Sequence, residues 1–172
     1  MRFKGVVFRA HDPRWSFLPV SGDGAAIHGG RFNPTHVPAL YLALDPMTAV
    51  KEANLGFAQK FEPCVLCSYD IDCDHIVDLT TRAARMRSRV LAREIGCAWH
   101  AHLARGEDPP SWAVARRLIA EGAAGILVPS YAPGAMPNDK NLVLWKWNSQ
   151  LPHKITVFDP SGRLPKNQLS WT

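Results

Sequence analysis

The chain has 172 residues, 47% hydrophobic and 20% charged, which predicts one globular domain over residues 1–172 and excludes a disordered chain. Four cysteines are too few for a disulfide scaffold, the first residues lack the apolar core of a secretory signal, and the longest uncharged stretch (122–138) holds three prolines and three glycines, so we expect a cytoplasmic protein without a membrane span. The net charge of +5 favours an acidic partner, such as nucleic acid, a phosphate-bearing small molecule or an acidic protein, without choosing among them.

The first third of the chain predicts two strands, a long loop and a helix. Strands are predicted over residues 3–9 and 39–44, and in the second of these leucines alternate with Ala39, Tyr41 and Ala43. Residues 21–38 are rich in Gly and Pro, and a loop of this length is usually functional. Asp45-Pro46 is a good N-cap and N1 pair, so a helix is predicted from there to about Gln59.

The rest of the chain predicts a mixture of strands and helices. Helices are predicted over residues 81–95 and from Pro110 to a stop at Gly122. Strands are predicted over residues 64–71, 75–79, 125–128, 142–147 and 154–158. Helices lie between strands without alternating strictly with them, so the predicted fold is a single mixed α+β domain.

The long loop contains a segment that suits a phosphate group, His28-Gly-Gly-Arg31-Phe-Asn33-Pro34. Its two glycines permit a close backbone approach, and the planar fork of Arg31 matches a pyrophosphate. A tight turn with an exposed arginine explains the same residues equally well. The glycine patterns of Rossmann and Walker sites are absent from the sequence.

Tyr41 and Glu52 are further candidates. Tyr41 stands between two alanines on its strand face, which leaves room for a ligand against the ring or for close packing against a helix. Glu52 lies just past the edge of an apolar arc on the predicted helix, where a carboxylate faces either a cleft or solvent. The members of that arc are Met47, Ala49, Val50, Ala53 and Phe57.

Two polar residues stand at strand ends. Ser130 follows the predicted buried strand 125–128, and Asn141 opens the next strand on the face shared with Val143, Trp145 and Trp147. Each residue suits either a site or an ordinary cap or turn hydrogen bond.

Two clusters were weighed as alternatives to such a site. Cys64, Cys67, Cys73 and His75 are close in sequence, but the β-rich run places residues three apart on opposite faces, so we expect no metal. Arg82, Arg85, Arg89 and Arg93 would form a stripe on one predicted helix that tracks phosphates, docks an acidic partner or is merely solvated. Because no nucleic-acid-binding motif accompanies the stripe, direct contact with nucleic acid is not expected.

Five segments together resemble the RES-domain family, which is named for its Arg, Glu and Ser, and within it the ParT-like toxins of bacterial toxin–antitoxin systems. The segments are Gly29-Gly-Arg31-Phe-Asn33-Pro34, Ala39-Leu-Tyr41-Leu-Ala, Ala49-Val-Lys-Glu52, Val128-Pro-Ser130 and Asn141-Leu-Val. Their order and spacing, from about Phe8 to Asn148, are more specific than any single segment. The correspondence is direct at Arg31, Tyr41, Glu52 and Ser130, and weaker at Arg9, Asn33 and Asn141.

The resemblance implies a fold similar to the bacterial ADP-ribosyltransferase toxins, NAD as the substrate and an Xre-like antitoxin as the partner. It implies that Glu52 stabilises positive charge on the ribose and that Arg31, with Arg9, binds the pyrophosphate. Tyr41 would stack on nicotinamide. The hydrogen-bonding residues for NAD would be Asn33, Ser130 and Asn141.

The hypothesis from the sequence is therefore a toxin that transfers ADP-ribose from NAD to an acceptor, with a protein as the favoured acceptor. Phosphate or water as acceptor would leave every NAD-contacting residue unchanged, so an NAD phosphorylase or glycohydrolase remains open. A basic binding module without catalysis, built on the arginine stripe, is a more distant alternative.

Overall fold

The computed structural model of the protein describes residues 1–54 and 62–169. Within these ranges the chain forms one seven-stranded sheet. Its strands are β1 (Phe3–His11), β2 (Leu40–Ala43), β3 (Val65–Cys73), β4 (Ile76–Asp78), β5 (Gly125–Pro129), β6 (Lys140–Leu144) and β7 (His153–Val157). Their order in the sheet is β4-β5-β6-β2-β1-β3-β7, and β4 and β5 run parallel while the other neighbours are antiparallel. The predicted α+β class is confirmed.

The helices connect these strands and cover the sheet. They are α1 (Asp23–His28), α2 (Pro46–Ala53), α3 (Arg82–Arg87), α4 (Ala92–Ile95), α5 (Trp99–Ala104) and α6 (Pro110–Ala120), with a 3-10 turn over Pro13–Trp15. None of the helices within residues 1–54 and 62–169 is long and apolar enough to cross a lipid bilayer.

The sheet separates two hydrophobic cores. Along β6, Leu142 and Leu144 belong to one core and Val143 to the other, as expected for side chains that alternate between the faces of a strand. Leu40 and Leu42 share the first core, which confirms the predicted leucine face of β2. The second core includes buried residues of α6, and it forms the floor below the candidate site.

The strand predictions hold to within a few residues, whereas the predicted set of helices needs three corrections. The predicted loop 21–38 contains α1, and α5 was not predicted at all. The helix predicted over residues 81–95 is wrong as a single element, because α3 and α4 are separated by a turn in which Arg89 has a φ of 53°. The end predicted for α2, about Gln59, lies outside the described residues, and α2 is described as far as Ala53.

The break between α3 and α4 also removes the predicted arginine stripe. The four arginines do not follow one helical axis, and Arg85 is used inside the fold. Its Nη1 donates to the carbonyl oxygens of Leu79 and Thr80 at 3.0 and 3.1 Å. A continuous cationic surface along one helix is therefore not present.

Candidate active site

A cleft of about 630 Å³ opens beside the central strands, between α2, the loop that carries Arg31, and α5. This volume lies within the range of small-molecule sites. The walls are largely apolar, and the charged residues among those that line them are Arg9, Arg31 and Glu52.

Glu52 reaches the cleft because of how α2 begins. Asp45 caps the helix by accepting from the backbone N–H groups of Met47 and Thr48 at 2.9 and 3.1 Å, and Pro46 occupies the first turn. The cap turns Thr48 and Ala49 into the protein, and both are buried. Glu52 stands one turn further along the same face. It is half-buried there.

The apolar arc predicted for this helix is wrong in part. Met47 is 62% exposed, and Ala53 is also exposed. The buried face is narrower because only the side of α2 that contains Thr48 and Ala49 meets the sheet. Glu52 is consequently on the inner face and not at its rim.

The carboxylate of Glu52 is held on one oxygen by two side chains from the other side of the cleft. Ser130 Oγ donates to Glu52 Oε1 at 2.6 Å, and Asn141 Nδ2 donates to the same oxygen. Ser130 Oγ in turn accepts from the backbone N–H of Ala132 at 3.2 Å. Glu52 Oε2 has no hydrogen-bond partner within residues 1–54 and 62–169. The contacts therefore orient the carboxylate and leave Oε2 for a ligand.

The register of the sheet brings these residues together. Phe8 pairs with Ala43, Ala43 with Asn141, and Asn141 with Val128, so one row of side chains crosses four strands. Ser130 is the first residue after β5, two positions beyond Val128. Asn141 is 9% exposed, and among the described residues its Oδ1 finds no hydrogen-bond partner. Such a buried acceptor is suited to a ligand N–H.

A second tie holds α2 to the loop that contains Ser130. Lys51 Nζ lies 2.8 Å from Asp139 Oδ2, and the Lys51 ammonium holds the pKa of Asp139 below its usual range. The backbone N–H of Ser130 donates to the carbonyl oxygen of Asp139 at 2.8 Å. Glu52 and Ser130 are thus connected both by their own hydrogen bond and by the ion pair between Lys51 and Asp139.

Tyr41 lines the cleft with its ring, while its hydroxyl is used inside the protein. The hydroxyl donates to Asn33 Oδ1 at 2.7 Å and accepts from the backbone N–H of Phe32 at 3.0 Å. Burial raises the pKa of Tyr41, so the phenol is neutral. A Cβ on Gly30 would stand 2.5 Å from the Tyr41 hydroxyl, and the sequence therefore has glycine at this close approach.

Asn33 lies below the cleft and not in its wall. It is fully buried, and its Nδ2 donates to the carbonyl oxygens of Ala25 and Val37, both at 2.8 Å. Its Oδ1 accepts from Tyr41. These contacts revise the role expected for Asn33, since it positions Tyr41 and has no surface with which to reach NAD.

The loop that carries Arg31 is held by two indole groups. Trp112 Nε1 donates to the carbonyl oxygen of Gly30 at 2.7 Å, and Trp145 Nε1 donates to that of Phe32 at 2.9 Å. Both contacts fix backbone atoms on either side of Arg31. The sequence offered no signal for them, because each joins residues far apart in the chain.

The guanidinium of Arg31 is stacked and hydrogen-bonded. Its Cζ lies 4.5 Å from the centre of the Tyr131 ring, and its Nη1 donates to the carbonyl oxygen of Cys97 at 2.6 Å. Arg9 Nη1 donates to the carbonyl oxygens of Pro19 and Ser21 at 3.1 and 2.9 Å, and burial lowers its pKa. Each arginine uses one nitrogen to keep its place in the wall.

The structure adds cleft residues that the sequence reasoning missed. Tyr131 follows Ser130 directly, and its position in the same Gly- and Pro-rich loop is a signal that could have found it. Trp99 and His100 lie on α5, a helix that the sequence analysis did not predict. His11 also lines the cleft, and burial lowers its pKa, which favours the neutral imidazole.

Cys64, Cys67 and Cys73, which the sequence analysis considered as metal ligands, are not among the residues that line the cleft. Cys64 is exposed and Cys67 is buried, so the two thiols face different environments. In the part of the chain that the structure describes, no group of three or more His, Cys, Asp or Glu side chains is arranged to hold a metal ion.

The fold and the site together define a small α+β protein with a ligand cleft built around one oriented carboxylate. The RES domain family model matches residues 6–167. The chain therefore belongs to the RES domain family.

The fold is also shared with a chain in the crystal structure of the M. tuberculosis MbcT–MbcA toxin–antitoxin complex. The TM-score is 0.60 at 24% sequence identity, with 92% of this chain and 84% of that chain covered. No curated protein matches the sequence.

Proposed function

We propose that this protein is the toxin of a toxin–antitoxin pair and that it cleaves the nicotinamide–ribose bond of NAD, transferring ADP-ribose to an acceptor protein. The observation that carries the proposal is the Glu52 carboxylate, which Ser130 and Asn141 hold by one oxygen inside an apolar cleft that also contains Arg31. Membership of the RES domain family and the fold shared with a chain of a toxin–antitoxin complex support it.

Glu52 would act on the charge that forms during cleavage. When the bond between nicotinamide nitrogen and ribose C1′ breaks, its electron pair leaves with nicotinamide and positive charge develops on the ribose. A carboxylate fixed beside C1′ stabilises this transition state more than the ground state. The apolar walls strengthen the interaction, since charges attract more strongly where water is excluded.

Ser130 and Asn141 would act mainly through Glu52. Their hydrogen bonds pre-orient the carboxylate, so no reorganisation is needed when charge appears on the ribose. Asn141 Oδ1 has the additional capacity to accept from the carboxamide N–H of nicotinamide. This would place nicotinamide between Asn141 and the ring of Tyr41.

Arg31 would hold the pyrophosphate. One of its nitrogens is bound to the Cys97 oxygen and its plane lies on Tyr131, so the remaining N–H groups point in fixed directions. Arg9, which is also among the residues that line the cleft, would add a second cation. The acceptor nucleophile then forms a bond to C1′ and gives up its proton, which balances the reaction as a transfer of ADP-ribose.

The acceptor is tested by following NAD labelled in its adenylate half in a cell lysate. Label in a protein band supports transfer to protein, whereas label in phosphorylated or free ADP-ribose indicates phosphate or water as the acceptor. Glu52→Gln should lower the rate at which all three products form by at least about 100-fold. Glu121→Gln, at the exposed residue that follows α6, is a matched control and should leave them unchanged. NAD that stays intact with the wild-type protein would contradict the proposed function and favour a binding module.

A cognate antitoxin is the proposed partner, since an enzyme that consumes NAD is toxic unless it is restrained. A partner that places a carboxylate or its own C-terminus beside Arg31 would replace the pyrophosphate and close the cleft. We expect the partner to be of the Xre-like kind, as the sequence resemblance implies.

A further inference from the structure

Two aromatic rings on α5 line the cleft and have no role in the mechanism described above. Trp99 and His100 have ring centroids 3.7 Å apart and an interplanar angle of 31°. Trp99 is half-buried and His100 is exposed, and both line the cleft. Neither ring is needed for the hydrophobic cores, which leave both of them out.

The position of Trp99 relative to Arg31 is fixed by a shared backbone oxygen. The carbonyl oxygen of Cys97 accepts from Arg31 Nη1 at 2.6 Å and from the backbone N–H of Trp99 at 2.9 Å. The backbone of Trp99 and the guanidinium of Arg31 are therefore held at the same carbonyl oxygen. Glu52, in contrast, is held by Ser130 and Asn141 from the sheet side of the cleft and shares no hydrogen-bond partner with Trp99 in the part of the chain that the structure describes.

We infer that the Trp99–His100 pair is a purine-stacking subsite that holds the adenine ring of NAD, an inference that rests on the proposed function. In a dinucleotide the adenosine is attached directly to the pyrophosphate, and nicotinamide lies at the other end. With the pyrophosphate on Arg31 and the reacting ribose at Glu52, the adenine meets the next feature beyond Arg31. That feature is the aromatic pair on α5.

The chemistry of the pair suits a purine. An adenine ring is flat and polarisable, and it stacks on the face of an indole or imidazole without requiring a particular pattern of hydrogen bonds. Contact between Trp99 and His100 limits rotation of the indole, so less side-chain entropy is lost on binding. The subsite would thus contribute to affinity for NAD and not to the chemical step.

Equilibrium binding separates this subsite from the catalytic end of the cleft. The ligands are ADP-ribose, which contains adenine, and nicotinamide mononucleotide, which lacks it. Trp99→Ala should weaken ADP-ribose binding roughly 5- to 150-fold, the range for loss of one base–aromatic stack. Binding of nicotinamide mononucleotide should stay within about twofold of wild type. Trp99→Phe should recover part of the loss, because a smaller aromatic face remains.

Trp15→Ala is the matched control, since Trp15 is 55% exposed and lies outside the residues that line the cleft. It should leave the binding of both ligands unchanged. In steady-state kinetics with NAD, Trp99→Ala should raise KM by the same factor as the dissociation constant of ADP-ribose and leave kcat nearly unchanged.

The inference is overturned if Trp99→Ala weakens both ligands equally, weakens neither, or lowers kcat with KM unchanged. It fails separately from the proposed function. A wild-type protein that binds ADP-ribose through Trp99 but does not consume NAD would retain the purine subsite and contradict the NAD-cleaving activity. A protein that consumes NAD with an unchanged KM after Trp99→Ala would retain the activity and contradict the subsite.

Discussion

The two walls of the cleft are built in different ways. The sheet wall presents Asn141, on β6, and Ser130, which directly follows β5. Both side chains donate hydrogen bonds to the carboxylate of Glu52. The loop wall presents Arg31, which is held by a backbone carbonyl and an aromatic ring. Side chains on a sheet keep their spacing because the register is set by many hydrogen bonds, so the sheet wall suits chemistry. In the proposed function the loop wall binds the pyrophosphate of NAD.

The difference predicts that changes on the sheet wall lower kcat and that changes on the loop wall raise KM. Because Glu52 extends from α2 to the hydrogen-bonding side chains of the sheet wall, the largest expected effect is that of Glu52→Gln. It keeps the shape of the side chain and removes the charge, so kcat for NAD should fall at least about 100-fold, the typical loss of one electrostatic stabiliser. Steady-state NAD consumption measures this. Consumption at the wild-type rate would contradict the proposed mechanism.

Ser130→Ala should have the next largest effect. It removes the 2.6 Å hydrogen bond to Glu52 and loosens the carboxylate, so kcat should fall about 10-fold or more, as expected for a hydrogen bond to a charged group. KM should change little. Ser16→Ala is a matched control because Ser16 is also buried and its hydroxyl donates only to the carbonyl oxygen of Pro13. An increase in KM without loss of kcat would assign Ser130 to binding.

Tyr41 lies on β2, and its hydroxyl contacts the loop that carries Arg31. Two substitutions test whether its ring or its hydroxyl contributes to NAD binding. Tyr41→Ala removes the stacking surface, so KM for NAD should rise about 10-fold. Tyr41→Phe keeps the ring and should leave KM near the wild-type value. It should lower the free energy of unfolding by about 1–3 kcal/mol, since Asn33 Oδ1 and the N–H of Phe32 lose their partner.

Urea unfolding measures the stability of these Tyr41 variants. Tyr69→Phe is a control, because it also removes a buried phenol hydroxyl, one that donates to the carbonyl oxygen of Pro19 at 2.9 Å and belongs to a residue outside the cleft lining. If Tyr41→Phe and Tyr41→Ala raise KM equally, the hydroxyl takes part in binding and the stacking role is wrong.

Arg31→Lys should have a smaller effect, confined to binding. Lysine keeps the charge and loses the planar fork, so KM should rise about fivefold through loss of one hydrogen bond. Arg2→Lys is a matched control, since Arg2 makes a two-pronged contact with Asp72 at the surface, with Nε 2.5 Å from Oδ1. A fall in kcat at unchanged KM would place Arg31 in the chemical step.

The smallest effect on cleavage is expected for the arginines of α3 and α4. Inhibition by the cognate antitoxin should be competitive with NAD, and Arg82→Glu with Arg93→Glu should slow association and flatten its salt dependence. Cleavage by the free protein should stay nearly unchanged, because both residues are exposed and outside the cleft. A complex that binds NAD as tightly as the free protein would place inhibition away from the cleft.

Local sequence patterns determined the strands and the starts of α2, α3 and α6. Alternation of leucines marked β2, and Asp45-Pro46 marked the start of α2, because these signals depend on neighbouring residues alone. The spacing of the segments around Arg31, Tyr41, Glu52, Ser130 and Asn141 was enough to indicate the family. The break at Arg89 and the helix α5 were missed, because short helices depend on packing more than on propensity.

Only the tertiary structure decided how the candidate residues act. Glu52 is joined to Ser130 and Asn141 across a large separation in the chain, and the sheet register alone places Asn141 opposite Ala43 and Val128. A separate contact, the hydrogen bond from the Tyr41 hydroxyl to Asn33 Oδ1, showed that Asn33 supports Tyr41. A hydrogen bond between distant residues leaves no periodic signal in the sequence. It exists only once the strands have paired and the burial of each polar group has fixed its partner.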